Sequence, residues 1–419
     1  MRLHGLDDAV VDALEEDAFA VGLLDEREAV ALRSQAGVVR DELEFPDSEK
    51  TGDRRDVRVV QPHEARPPAA IPATLAGVIR RGCRERVGSA RTAAMRLLVT
   101  GGCGFIGSNF VRFVLEHYQP EFVTNVDALT YAGNPENLAG VAEKYAGRYE
   151  FHRADIADRA AMNAIFAQHK YFAVINFAAE SHVDRSIESP ENFIHTNVAG
   201  TDALLTLARE HGVKRFIQIS TDEVYGSLGP EGRFIESSPL DPSSPYSASK
   251  AAADLLALAA HRTYGQEVVI TRCSNNYGPF QFPEKLIPLM ITRALRDEPL
   301  PVYGDGLNVR DWIHVDDHCR AITAALLEGK PGEVYNVGAD SELRNIDVVE
   351  LILETLGKPR SLIEYVTDRP GHDRRYAIDS AKLRLALGWH PIHAVKDGIR
   401  ETVQWYLENR AWWEPLLNR

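Results

Sequence analysis

Tyr246 and Lys250 stand four residues apart in the stretch YSASK. Ser244 and Pro245 ahead of them have the form of a helix start, serine as N-cap and proline in the first turn, and Gly265 supplies a stop. The spacing predicts a helix over 245–264 with the phenol and the ammonium on one face, near its beginning. An ammonium beside a phenol favours the phenolate, and such a tyrosine can take a proton from an alcohol while hydride leaves. Upstream, a predicted strand over 215–220 runs into Thr221, Asp222 and Glu223. A threonine hydroxyl there can hydrogen-bond the reacting alcohol oxygen. Two carboxyl groups in a closed site tend to separate in pKa, so one stays protonated as an acid while the other serves as a base. Redox at an alcohol does not require that pair, whereas loss of water from adjacent carbons does. Taken alone, each feature has a bland reading: a surface Tyr-x-x-x-Lys pair, and two acids capping a loop.

The context comes from LLVTGGCGFIG, residues 97–107, where an apolar strand runs straight into Gly101, Gly104 and Gly107 and a helix opens with Phe105 and Ile106. Glycines let a phosphate approach the backbone and the unpaired amides of a helix start. Asp127 ends the next predicted strand, twenty residues after Gly107, where a carboxylate can accept hydrogen bonds from both ribose hydroxyls of an adenosine. The same acid repels a 2′-phosphate, so the expected cofactor is NAD rather than NADP.

These groups need a scaffold that delivers them to one place. From residue 95 onward, short β-branched and aliphatic runs alternate with helical patterns, the signature of βαβ units and a parallel sheet. Strands are predicted over 96–100, 122–126, 149–153, 173–177, 215–220 and 267–272, and helices over 105–118, 192–211 and 245–264. Residues 1–94 change in character, with short helical patches and then a polar run over 47–72 that lacks periodicity. They are expected to be a flexible leader, or a stretch ahead of a start at Met95, with an added interaction module as the alternative.

Composition narrows the function classes. Lysine and arginine number 47 against 61 acids, a formal charge of -14, which disfavours nucleic acid and anionic lipid as partners. The first residues carry acids where an export signal carries a basic and then an apolar stretch, and no run is long enough for a membrane span. Cys83, Cys103, Cys273 and Cys319 show no metal spacing, so a reduced cytoplasmic chain without a bound metal is expected.

The Gly-x-x-Gly-x-x-Gly spacing resembles the extended short-chain dehydrogenase/reductase family. Along 95–419, STDEVYG, YSASK, SNNYGPFQFPEKLIP, PVYGDGLNVRDWIHVDD and DRPGHDRRYAID are similar in order and spacing to motifs of its dTDP-glucose 4,6-dehydratase branch. In 4-epimerases of that family the positions of Asp222 and Glu223 usually carry small or neutral residues. The resemblance implies an α/β fold: a Rossmann-like doubly wound parallel sheet over 95–272, and a smaller C-terminal α/β substrate domain over 273–419 with segments returning to the first. It implies that Tyr246, Lys250 and Thr221 oxidise carbon 4 of dTDP-glucose with NAD, that Glu223 removes the proton on carbon 5, and that Asp222 protonates the departing 6-hydroxyl. Hydride then returns to carbon 6.

By the same resemblance the cofactor also meets Thr130, Asp155, Ile156, Phe177, Ala178, Ala179, Ser181, Thr196 and Asn276. The nucleotide sugar meets Ser181, Thr221, Asn275, Lys285, Leu286, Pro301, Tyr303, Arg310, Asn345, Arg369 and His372. Ala128 stands where many relatives have lysine. A homodimer through segments 192–211 and 248–264 is implied as well. The alternatives are an NAD-dependent sugar-nucleotide epimerase or decarboxylase, a dehydratase acting on UDP-glucose, and, from another class, an NAD-binding interaction protein without turnover.

Overall fold

The computed structural model describes residues 95–368 and 371–418. The N-terminal extension over 1–94 and Arg369 lie outside the described residues. Among the described residues twelve strands follow in chain order. They are β1 (Arg96–Thr100), β2 (Phe122–Asp127), β3 (Tyr149–Arg153), β4 (Ala173–Asn176), β5 (Arg215–Thr221), β6 (Glu267–Cys273), β7 (Asn275–Tyr277), β8 (Leu300–Tyr303), β9 (Val309–His314), β10 (Val334–Val337), β11 (Glu342–Arg344) and β12 (Ile363–Val366). Seven form one sheet in the order β10-β6-β5-β4-β1-β2-β3, every neighbouring pair parallel. All six predicted strands lie in it, each ending within one residue of its expected place.

Successive residues of the central strands enter opposite cores. Val99, Ile175 and Ile217 belong to one buried cluster, while their neighbours Leu98, Val174 and Phe216 belong to another. That is the period-two alternation of a sheet covered on both faces, and it explains why these strands read as continuous apolar runs. Helix α1 (Phe105–His117) packs Phe110, Val114 and Leu115 into the first cluster. Helices α2 (Thr201–Glu210) and α3 (Pro245–Tyr264) supply Leu204, Leu207, Ala257 and Ala260 to the second. The strand order reverses between β1 and β4, so the crevice at their C-terminal ends is where such a sheet takes a ligand. There Asn176 ties three strands, accepting from the Thr100 hydroxyl at 2.7 Å and donating to Gln218 at 3.0 Å.

Helix α3 has the predicted bounds. Ser244 and Ser247 form a capping box, Pro245 opens the helix, and Gly265 closes it at φ 70°. The predicted helix over 192–211 is instead broken. A π-helical stretch, Ile194–Gly200, precedes α2, and within it the Asn197 side chain bonds both the N–H and the carbonyl of Glu180 and also Ser249. A 3.6-residue period cannot reveal a π turn, whose wider winding re-aims one side chain.

A third core lies outside the large sheet. Tyr277, Met290, Trp312, Val349, Tyr406 and Trp413 gather under helices α4 (Leu286–Ala294), α5 (Asn345–Leu356) and α6 (Val395–Glu408). Beside them β9 pairs with β7 in parallel and with β11 antiparallel, and β8 pairs with β12. Strand β10 returns to the large sheet at the edge of β6. Among the described residues no helix is long and apolar enough to cross a membrane.

Candidate active site

A crevice of about 320 Å³ opens along the C-terminal ends of the large sheet. The glycine loop forms part of it. Gly101 sits at φ +69°, and a Cβ there would lie 2.5 Å from the Ala178 nitrogen; a Cβ on Gly107 would lie 2.3 Å from the Gly101 carbonyl oxygen. Only glycine permits that closeness. Helix α1 starts with no side-chain cap and no acid in its first turn, which leaves its N-terminal amides for an anion. Asp127 is buried at the end of β2. Its Oδ2 accepts the Cys103 amide at 2.9 Å and its Oδ1 the Leu129 amide at 2.8 Å. Burial pushes this carboxyl up and the two amides pull it down. Each oxygen keeps a lone pair for a ribose hydroxyl. The cradle and the fixed carboxylate fit a dinucleotide.

Thr130, Asp155, Ile156, Phe177, Ala178, Ala179, Ser181, Thr196 and Asn276 line the same crevice, as do Gly104, Phe105 and Ile106. Asp155 does not cap the helix that follows. Its Oδ1 accepts the Ala157 amide and its Oδ2 meets His195 at 3.0 Å, while Asp158 caps Arg159–Phe166.

Thr221, Asp222, Glu223, Tyr246 and Lys250 all reach this crevice. Thr221 ends β5 and caps a short 3₁₀ turn, Asp222–Tyr225, accepting the Glu223 amide at 3.2 Å. Asp222 is 2% exposed, and its Oδ2 has no hydrogen-bond partner among the described residues. Burial first, then the charges of Glu223 and Asp311, push its carboxyl well above the usual range, against the pull of Arg310. Both influences favour the protonated form.

The tyrosine and lysine differ from expectation in one respect. Lys250 turns its ammonium to the Ile219 carbonyl, 2.6 Å away, and burial lowers its pKa. The Tyr246 phenol is pushed well above its ordinary value, by burial and then by the Glu223 charge. In this arrangement the lysine alone does not make a phenolate. Desolvation and the carboxylates favour the neutral phenol, and a positive charge beside the ring would oppose them.

The residues expected to hold the nucleotide sugar divide into two groups. Ser181, Thr221, Asn275 and Lys285 line the crevice, and Lys285 donates to the Ser181 carbonyl at 2.9 Å. Leu286, Pro301, Tyr303, Arg310, Asn345 and His372 do not line it. Leu286 and Asn345 begin α4 and α5, Pro301 and Tyr303 lie on β8, and Arg310 lies on β9. The Tyr303 ring meets His372 edge-on. Arg310 is 4% exposed, with its guanidinium over the Tyr376 ring. Sequence reasoning did not single out Glu180, Tyr131, Cys273, Gln281 or Glu284, which also line the crevice. Glu180 stands between Ala179 and Ser181, and Gln281 and Glu284 lie inside the quoted SNNYGPFQFPEKLIP.

Outside the crevice, His314, Asp316 and His393 bring three potential metal-ligating atoms within 4.8 Å of one another. The two imidazoles stack with centroids 4.1 Å apart at 26°, so one ion cannot lie in both ring planes.

Residues 98–402 match the family model described as GDP-mannose 4,6 dehydratase. A dTDP-glucose 4,6-dehydratase of Streptomyces niveus is 53% identical over 326 residues, covering 77% of this chain and 96% of that protein. A probable dTDP-glucose 4,6-dehydratase of Sinorhizobium fredii is 54% identical over 341 residues, covering 78% and 96%. Among solved structures, the dTDP-glucose 4,6-dehydratase DesIV of Streptomyces venezuelae, determined with NAD bound, superposes with a TM-score of 0.74 at 51% identity, over 77% of this chain and all of that one.

Proposed function

This chain belongs to the dTDP-glucose 4,6-dehydratase family, and we propose that it converts dTDP-glucose to dTDP-4-keto-6-deoxyglucose with NAD, releasing one water. The observation that carries the reading is Asp222. It is a buried carboxyl held above the usual range, next to Glu223, in the crevice that also holds Thr221, Tyr246, Lys250 and the glycine loop. Reversible oxidation of an alcohol needs only the last four. A retained acid beside a second carboxylate suits elimination.

The amides around Gly101, Gly104 and Gly107 would hold the NAD pyrophosphate, Asp127 the adenosine ribose, and Asp155 and Ile156 would border the adenine. When bound, NAD supplies the hydride acceptor for carbon 4, the hydride delivered later to carbon 6, and a positive charge near the Tyr246 phenol. Tyr246, hydrogen-bonded with Thr221, takes the proton of the 4-hydroxyl as carbon 4 becomes a ketone. That ketone acidifies the hydrogen on carbon 5, and Glu223 removes it. Asp222 gives its proton to the 6-hydroxyl, which departs as water. Carbon 5 regains a proton as carbon 6 is reduced, so the sugar loses one water and no net electrons. Lys250 fixes the helix start to β5 through the Ile219 carbonyl. Asn275, Lys285, Arg310, Arg369 and His372 would hold the nucleotide diphosphate, with Ser181, Leu286, Pro301, Tyr303 and Asn345 completing the substrate's seat.

In this reading 95–272 is the cofactor domain and 273–419 mainly the substrate domain. The protein acts as a cytoplasmic homodimer. Three free, buried thiols, Cys103, Cys273 and Cys319, suit a reducing compartment. Leu255 on α3 is 57% exposed, an apolar side chain that a second copy would cover. The test is product identification after incubating the purified protein with dTDP-glucose and, separately, UDP-glucose. The expected outcome is a 4-keto-6-deoxy sugar from dTDP-glucose; a product that keeps its 6-hydroxyl contradicts it.

A further inference from the structure

Asp373 connects Arg310 and Tyr376 with the segment that leads into the helix carrying Tyr246. It is 8% exposed. Its backbone carbonyl accepts from Arg310 Nη2 at 2.9 Å and from Asn308 Nδ2 at 3.2 Å. Its carboxylate Oδ2 accepts from the Ser243 hydroxyl at 2.5 Å and from the Tyr376 hydroxyl. Ser243 directly precedes Ser244, the N-cap of the helix that carries Tyr246 and Lys250. Tyr376 is 4% exposed and lies beneath the Arg310 guanidinium, 4.3 Å from charge to ring centroid, with its phenol under the influence of Glu223.

The first residues of a helix leave amides without partners inside it, so contacts from outside add to the capping box in setting where they sit. Ser243 lies on the exposed side of that start, and the Asp373 carboxylate is its partner. A charged acceptor receiving two hydroxyl donors makes short, strong bonds. Resting on the functional reading above, we propose that Asp373 is a positioning residue. It ties the seat of the nucleotide diphosphate at Arg310 to the start of the helix bearing Tyr246, so that binding at the phosphate end keeps the sugar in register with the acid–base groups. A slip of that helix start lowers the rate of chemistry while leaving the diphosphate contacts in place.

The test uses the full-length protein with NAD, and the variants Asp373→Asn, Ser243→Ala and the double variant. For dTDP-glucose, Asp373→Asn is expected to lower kcat by roughly tenfold to a hundredfold, while KM and the calorimetric affinity for dTDP stay within about threefold. Ser243→Ala, an exposed hydroxyl whose loss leaves the fold intact, is expected to lower kcat in the same direction. The double variant is expected to be no slower than Asp373→Asn, because both changes act on one connection, Asn by removing the acceptor's charge and Ala by removing the donor. Three results overturn the proposal: KM rising with kcat unchanged, single losses that multiply in the double variant, or an Ser243→Ala enzyme with wild-type kcat. The last decides the matter even if Asp373→Asn fails to fold. A wild-type protein that makes no 4-keto-6-deoxy sugar overturns the functional reading and this inference together. An active wild type with unaffected variants overturns this inference alone.

Discussion

The Thr221 hydroxyl lies 3.3 Å from Asp222 Oδ1 and donates to it, while the Thr221 hydroxyl oxygen itself accepts the Glu223 amide. One short side chain thus sets the start of the turn on which both acids stand. It occupies one oxygen of Asp222 and leaves Oδ2 as the buried, unpartnered atom.

Replacing Asp222 by Asn keeps the shape and removes the proton donor. Turnover of dTDP-glucose should fall by about a hundredfold or more, with KM changed only a few-fold, since the group acts in elimination and not in binding. Steady-state kinetics decide this; unchanged turnover removes Asp222 from the mechanism.

The same substitution should stabilise the protein, and by a pH-dependent amount. The folded-state pKa of Asp222 lies above the unfolded value of about 3.9, so the folded chain binds that proton more tightly. Its contribution to stability is complete below the unfolded value and is lost as pH rises through the folded one. The melting temperature of Asp222→Asn should therefore exceed that of the wild type by a margin that widens from pH 5 to pH 8. Thermal denaturation across that range checks it, and a constant margin contradicts it.

Asp127→Ala should weaken NAD binding and destabilise the fold together. The amides of Cys103 and Leu129 lose their acceptor, at a cost of about 1–3 kcal/mol for buried, unsatisfied donors. Removal of the acid should also narrow the preference for NAD over NADP. Calorimetric titration with each dinucleotide and urea unfolding measure the two effects.

The ion pair between Arg272 and Asp254 is 3% and 0% exposed, with 2.9 Å between Nε and Oδ2. Asp254→Ala leaves a buried guanidinium without its partner and should cost about 3–5 kcal/mol. Replacing both residues by apolar ones of similar size should recover much of that loss. Denaturant unfolding of the single and double variants gives the comparison.

Much of this arrangement was legible in the chain. The central strands of the large sheet are buried on both faces, so Leu97–Val99 or Ala173–Ile175 read as unbroken apolar runs. Ser244, Pro245 and Gly265 carry local capping chemistry that fixes a helix without reference to anything distant. The π turn around Asn197 left no such mark, because its cause is tertiary: the side chain reaches the backbone of Glu180 and the hydroxyl of Ser249. Strands β7, β11 and β12 are three or four residues long, too short for periodicity to register. The elevated phenol of Tyr246 was not legible either. The four-residue spacing to Lys250 says that the two share a helix face, but not that the ammonium is turned to Ile219. Asp373 sits in a quoted motif, DRPGHDRRYAID, yet its partners Ser243 and Arg310 are 130 and 63 residues away.

The central claim is that one site oxidises carbon 4 and returns the same hydride to carbon 6. The most direct measurement is a single incubation of the purified protein with dTDP-glucose deuterated at carbon 4, followed by analysis of the product by mass spectrometry and NMR. The account predicts deuterium in the new methyl group of the 4-keto-6-deoxy sugar. Deuterium released to solvent, with a methyl group built only from solvent protons, would contradict it.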